Sequence, residues 1–265
     1  MDYKKVLEEL RVELNGLEEN EQIKSPLLKV EQVLSQLYSD ILDKEEDEIR
    51  LRINDYIEKR RKEIPINKVP VNLEDEATLL IHIIPFNSFK HEASKPNINL
   101  DLQNRNNYEL SPLYCGGWNP GVNENGLFSY ASQYGYLEIE TSGIVEFVDQ
   151  GMLSHNPIAS GVFEKTILEG LERAQGILKQ TDVEGKLLIS ISLLGIKGFT
   201  LPARDNLGFT SNSAPFERED LHLPQITLDS INDSIEAAIK PAFDQLWRAF
   251  GYSFSHNYRD GEFVR

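Results

Sequence analysis

The stretch TLLIHIIPFNSF, Thr78 to Phe89, decides how the rest of the chain is read. It opens with an apolar run that lacks polar alternation, which predicts a strand buried on both faces and therefore central in a sheet. Pro85 closes the run, as proline does at a strand end or edge. His82 sits inside it, and a histidine so placed reads as a core group hydrogen-bonded to a neighbour.

Downstream the pattern stays mixed. YGYLEIET and GIVEFVDQ read as two strands joined at Ser142-Gly143, a hairpin signal. VFEKTILEGLERAQGILKQ (Val162 to Gln180) has the periodicity of an amphipathic helix. KLLISISLLGIKGFTL reads as a second buried strand followed by a turn at Gly195–Gly198, and LPQITLDS as a short strand. A closing helix, INDSIEAAIKPAFDQLWRAFG, is expected to be capped by Ser230, ended by Gly251, and kinked or split at Pro241. The Asn-, Pro- and Gly-rich segment Asn97–Gly126 reads mainly as loops.

Upstream, few strand formers occur. Tyr3, Leu7, Leu10, Leu14 and Leu17 fall at helical spacing, and Asn15–Pro26 reads as a break. Ser25 and Pro26 suggest the start of a second helix, with Val30, Val33, Leu34, Leu37, Ile41 and Leu42 on one side. DKEEDE (Asp43–Glu48) reads as a solvated stretch or turn before a third helix carrying Ile49, Ile53, Tyr56 and Ile57. The fold class expected is α+β. An N-terminal helical arm at 1–64, a helical hairpin or coiled coil, precedes a connector at 65–75. A mixed or antiparallel sheet packed with helices follows at 76–265.

The chain has 265 residues and a net charge of −16. Residues 71–265 carry 14 cationic and 26 anionic side chains, so the larger part is also the more acidic. Free nucleic acid is therefore disfavoured as the main partner, because its affinity comes from basic groups on phosphates. The one basic cluster, Lys59-Arg60-Arg61-Lys62, reads as a solvated helix end, where the helix dipole favours cations. No apolar run is long enough for a membrane span, mean hydropathy is −0.39, and the charged start is not a secretory signal. A cytoplasmic location is the default. One cysteine, Cys115, excludes an internal disulfide and a multi-cysteine zinc site.

Few motifs carry chemistry. The five histidines show no metal-ligand spacing. Glu138 and Glu140 share one face of a strand, with Glu146 and Asp149 on its hairpin partner. Such carboxylates would suit Mg²⁺ in a metal-dependent nuclease or phosphodiesterase, but outward faces of antiparallel strands are routinely charged. DVEGK (Asp182–Lys186) has the acidic-x-Lys form of a nuclease element, a pattern frequent by chance. Cys115 lies among glycines and reads as incidental. Trp118, Asn123 and Asn125, in a segment with turn chemistry, are candidates for binding. Leu34, Leu37 and Ile41 are candidates for helix pairing. No metal and no cofactor is expected.

Several stretches in order carry a resemblance. They are LLIHIIPFNSF, NENGLFSY, GYLEIETSGIVEFVD, ISLLGIKGFTL, REDLHLPQITL and IKPAFDQLWRAFGYSFSHNYRDGEF. Together they resemble the C-terminal accessory region of bacterial Schlafen/AlbA-type proteins described as ATP- or DNA-binding. The match falls on His82, Pro85, Phe89, Asn123 or Asn125, Gly126, Gly143, Ile144 and Glu146. It continues through Gly195, Lys197, Gly198, Pro224, Pro241, Phe243, Asp244, Trp247, Ala249, Gly251, Ser255 and Tyr258. Residues 1–60 are too few and too uniformly helical to be the Schlafen-type domain itself, so none of that domain's functional residues is carried over. The resemblance implies a non-catalytic interaction or scaffold subunit that docks a nuclease or ATPase in a bacterial multi-protein system such as anti-phage defence. A partner protein or self-association would use the N-terminal helices. A metal-dependent nuclease and a small-ligand sensor are the alternatives.

Overall fold

The structure, a computed structural model, describes residues 5, 8–9, 11–12, 21–66, 69–74, 76–90, 98, 108–131, 134–204, 210–259 and 261–264. Two compact units are present, Met1–Arg52 and Ile53–Arg265.

In the first unit α1 (Glu21–Glu63) begins, a helix of 43 residues that continues into the second. It runs unbroken through Ser25 and Pro26, the expected start of a helix, and through Asp43–Glu48, so that of the solvated stretch or turn expected there the turn does not form. Pro26 removes only one backbone bond near the helix start. Glu and Lys are good helix formers, and i,i+4 contacts tie the region: Gln36 Nε2 to Asp40 Oδ1 (2.8 Å) and Arg50 Nη2 to Glu46 Oε1 (3.0 Å). The stripe on this helix is open to solvent. Val33 is 66% and Leu37 54% exposed, Val30 and Leu42 are exposed, and Leu34 and Ile41 are half-buried. Lys5, Glu8, Glu9, Arg11 and Val12 are also helical, and Arg11 contacts Glu31 (3.2 Å) and Ser35 (3.1 Å) on α1. The stripe expected at Tyr3, Leu7, Leu10, Leu14 and Leu17 lies outside the described residues.

The second unit is α+β. In chain order it holds β1 (Thr78–Pro85), β2 (Asn119–Val122), β3 (Gly126–Ala131), β4 (Gly135–Glu140), β5 (Val145–Asp149), α2 (Ser160–Leu178) and β6 (Leu187–Leu194). β7 (Pro202–Arg204) and β8 (Thr210–Asn212) form a small hairpin. Then come β9 (Leu221–His222), β10 (Ile226–Leu228), α3 (Ile235–Ala249) and a second small hairpin of β11 (Tyr258–Arg259) and β12 (Glu262–Phe263). The main sheet has eight strands in the order β10-β6-β1-β5-β4-β3-β2, with β9 also on β6, and every pairing is antiparallel. β1 is central, as its unbroken apolar run predicts.

Alternation gives this sheet two unlike faces. Leu79, Ile81, Ile83, Leu137, Ile139, Val145, Phe147, Ile189 and Ile191 make one face mainly apolar, with buried Ser129 and Asp149 also on it by register, and it packs on Phe163, Ile167, Leu171, Ile239, Phe243 and Trp247 of α2 and α3. The other face carries a smaller apolar cluster, Leu80, Tyr136, Val148 and Leu194 under Ile64, Val69, Val71 and Leu73. Between these stand polar groups: His82, Glu138, Glu146, Ser190 and Ser192, all buried.

Three local expectations change. Asn119–Val122 and Gly126–Ala131 form a hairpin, not loops: Asn123 Oδ1 accepts from the backbone N–H of Asn125 and Gly126 (both 3.0 Å) and builds the turn chemically. Gly126 is required there, because a Cβ would collide with the Ile139 carbonyl. α3 is capped by Ser234, whose Oγ accepts from Ala237 N–H (3.2 Å), while Ser230 instead holds the preceding turn. Pro241 lies inside α3 without splitting it, since the apolar face around it is held by the core. The Ser142-Gly143 hairpin is present, with Gly143 at φ +88°. Among the described residues no helix is long and apolar enough to cross a membrane.

Candidate functional site

The last turns of α1 lie over the polar face. Ile53, Ile57 and Ile64 are buried, and Tyr56 and Arg60 fall between them at helical spacing on the same side. Arg60 therefore points into the protein. Its Nε and Nη2 bind the two oxygens of Glu146, both at 2.7 Å, a bidentate pair. Glu146 is 2% exposed and also accepts from Tyr136 Oη (2.6 Å), and His82 Nε2 lies 2.9 Å from it. His82 is set there by strand register: it stands opposite Glu146 on β5 and Ser190 on β6. Tyr56 meets the His82 ring edge-on at 5.6 Å and donates to Glu140 Oε1 (2.8 Å). Arg61, the next basic residue, donates to Ser192 Oγ (2.9 Å) and pairs with Glu58.

Burial opposes the charge on Glu146, but the hydrogen bonds and charges of Arg60 and His82 outweigh it and hold the carboxyl well below the usual range. Burial lowers the Arg60 guanidinium, and Glu146 more than reverses this. Burial, reinforced by Glu146, pushes the phenols of Tyr56 and Tyr136 up. The network is thus a buried ion pair with Arg60, Tyr136 and His82 around the Glu146 carboxylate, and it fixes the last turns of α1 on the sheet.

Beside it opens a cleft of about 610 Å³. Tyr56, Lys59, Arg60 and Glu63 of α1 form one wall, Asn123, Glu124 and Asn125 of the β2–β3 turn another, and Phe128, Glu138 and Glu140 the floor, with Val69 and Pro70 at the side. Glu138 is 5% exposed. Its Oε1 accepts from both turn amides, Asn123 Nδ2 (2.5 Å) and Asn125 Nδ2 (3.1 Å). Burial raises its carboxyl, the two amides lower it, and the charges of Glu146 and Glu140 add to the rise. Glu140 is held by Tyr56 and by Ser142 Oγ (2.9 Å).

The structure therefore gathers Asn123, Asn125, Glu138, Glu140 and, behind them, Glu146. Asp149 is elsewhere: by alternation it faces the opposite side of the sheet, where it accepts from the N–H groups of Met152 (2.8 Å) and Tyr114 (3.1 Å). Burial outweighs these bonds and raises it to about 6. Half-buried Trp118 is not among the residues that line the cleft, and Leu34, Leu37 and Ile41 belong to the arm. The Cys115 thiol is pushed up by burial, the wrong direction for a nucleophile. Among the described residues no three of His, Cys, Asp and Glu are grouped to hold a metal ion. Tyr56, Arg60 and Tyr136 were not foreseen. The signal for Arg60 was its place in the register Ile53, Ile57, Arg60, Ile64, a cation on the apolar side of a helix.

A second polar cluster sits among the apolar side chains. Glu164 on α2 is fully buried and accepts from Trp247 Nε1 (2.6 Å), Ser255 Oγ (2.8 Å) and Asn257 Nδ2 (2.8 Å). Burial raises its carboxyl against these donors. It staples the C-terminal tail to both helices, which is a structural task. Set against family models, curated proteins and solved structures, the chain matches none of them.

Proposed function

We propose that the chain is a non-catalytic interaction subunit whose arm pairs with the arm of a second copy. The exposed stripe of α1 carries this reading: Val30, Val33 and Leu37 present apolar surface at spacings of three and four residues, with half-buried Leu34 and Ile41 on the same side. Charge favours an antiparallel pairing. The stripe centres near residue 36, whereas Asp43, Glu45, Glu46, Asp47 and Glu48 lie to one side of it. In a parallel pair the two acidic blocks would stand side by side. In an antiparallel pair they would be about 30 Å apart at 1.5 Å per residue, several times the Debye length of about 8 Å. The resemblance to a Schlafen/AlbA-associated accessory region adds the expectation that the assembly carries a nuclease or ATPase of a bacterial defence system.

The carboxylate geometry supports a non-catalytic role. A nuclease reading would draw on Glu138, Glu140, Glu146 and Asp149. Glu146 is locked by Arg60, Tyr136 and His82, and Asp149 faces the other side of the sheet.

Sedimentation velocity on the full chain tests the proposal. The expected species has twice the 30.2 kDa chain mass, and Leu37→Glu returns it to monomer. In a Cys115→Ser background, a Val30→Cys chain mixed with an Ile41→Cys chain is expected to cross-link. A monomeric wild-type chain at micromolar concentration refutes the pairing. Cleavage of DNA or RNA by the purified chain with Mg²⁺ or Mn²⁺ refutes the non-catalytic role.

A further inference from the structure

The cleft between α1 and the β2–β3 turn is independent of the arm's pairing. Its polar groups are unequally matched. Asn123 uses both ends of its amide, one on the turn backbone and one on Glu138. Glu138 receives both turn amides on Oε1, and its Oε2 has no hydrogen-bond partner among the described residues, although the residue is only 5% exposed. A carboxylate oxygen without a protein partner, opening from a nearly buried residue into a cavity, can take a donor from a ligand there. Among the described residues the charge of the lining agrees: Glu63, Glu124, Glu138 and Glu140 face Lys59 and Arg60. Both cations are matched, Arg60 by Glu146 and Glu63, and the exposed Lys59 by Glu63 at 3.8 Å.

We propose that this cleft binds a primary ammonium group carried on a short aliphatic chain, with Glu138 Oε2 as its main acceptor and Glu140 beside it. Phe128, the cross-strand partner of Glu138, supplies the apolar wall for the chain and an aromatic face for the cation. Phe128 is itself fixed by Tyr130 (centroids 5.7 Å) and Tyr136 (5.8 Å). Val69 and Pro70 close the side. The volume suits a small ligand or one side chain with its neighbours. A phosphate or nucleotide would meet a net negative lining. Ca²⁺ and Mg²⁺ take six or more oxygen ligands, and among the described residues no three of His, Cys, Asp and Glu are grouped to hold a metal ion.

The same chemistry exists in a free diamine and in a lysine side chain of a polypeptide. Isothermal titration calorimetry on the full chain separates them, using 1,5-diaminopentane, N-acetyl-lysine methylamide, and AMP as the anionic control. At least one amine is expected to bind and AMP is not. The tighter amine names the source. Glu138→Gln keeps an acceptor for the turn amides and removes the charge, so the amine Kd is expected to rise at least tenfold while Tm stays near wild type. Amine affinity is also expected to fall as pH is lowered and Glu138 takes up a proton. The groups around it that share this field are Glu63, Glu124, Glu140, Glu146, Lys59 and Arg60. Failure of both amines to bind at millimolar concentration, tighter binding of AMP, or an unchanged Kd in Glu138→Gln overturns the assignment.

Discussion

Replacing Arg60 by methionine removes the cation from a carboxylate that is 2% exposed while keeping the bulk of the side chain. Glu146 would retain Tyr136 and His82 but lose both guanidinium bonds. Breaking a buried pair from one side costs about 3–5 kcal/mol, because the remaining charge stays desolvated. For a unit of this size each kcal/mol moves Tm by about 2–4 °C, so a fall of roughly 6–20 °C is expected. Urea and thermal unfolding followed by circular dichroism measure it. A second background makes the test specific. With Glu146→Gln already present, Arg60→Met removes only hydrogen bonds to a neutral group and is expected to cost about 1–2 kcal/mol, leaving a coupling of about 2 kcal/mol. The pH dependence follows from the same pair. Folded Glu146 titrates below its ordinary value of 4.5, so below that pH the unfolded chain takes up a proton that the folded chain does not. Stability from this group is full above pH 4.5 and falls as the pH drops further. In Arg60→Met the slope flattens. Equal costs in both backgrounds, or a loss under about 1 kcal/mol, would refute the assignment of Arg60 as the counter-charge.

Three further outcomes are expected. Trp247→Phe deprives buried Glu164 of one of three donors and should cost about 1–3 kcal/mol by denaturant unfolding; a neutral change would show that Ser255 and Asn257 suffice. Asp149 should titrate at about 6 in carbonyl-detected NMR, and because its folded value lies above the ordinary 3.8, its contribution to stability declines as pH rises between those values. A midpoint at or below 3.8 contradicts the burial argument. Gly143→Ala places a Cβ at φ +88° and should cost about 1–2 kcal/mol, measured by denaturant unfolding; an unchanged midpoint would mean that the turn relaxes.

Strands β1 and β6 are legible because Leu and Ile occupy both alternating sets of positions in TLLIHIIP and LLISISLL, which suits a strand buried on both faces. The β4–β5 hairpin is legible because its turn carries Ser142-Gly143. The β2–β3 hairpin is not, because Asn119, Pro120 and Gly121 are turn formers serving in an edge strand with one partner. Propensity describes the local chain, and there the neighbour decides. Of the two readings of Asp43–Glu48, a solvated stretch or a turn, the turn does not form: polar composition resembles a turn, but Glu and Lys sustain a helix, and the block is a mostly exposed part of α1. Of the site, the carboxylates were visible by period two. What each is bound to was not, since Arg60 and Glu146 lie 86 residues apart. A basic run at a helix end looks solvated until its register against Ile53, Ile57 and Ile64 is noticed.

The ends of the large sheet have a consequence for how this protein fails. β2 is four residues long and contains Pro120, and β10 at the other end is three residues long. Neither offers a template on which a strand from another molecule can add, so native chains are protected from edge-to-edge growth. The hazard is inside. TLLIHIIP and LLISISLL contain no Asp, Glu, Lys or Arg, consist mostly of Leu and Ile, and are sheltered only while the sheet is closed. Heating past the transition releases both at once. Unfolding is therefore expected to end in aggregation and to depend on scan rate, with the unfolding barrier rather than the equilibrium setting the working lifetime of the protein.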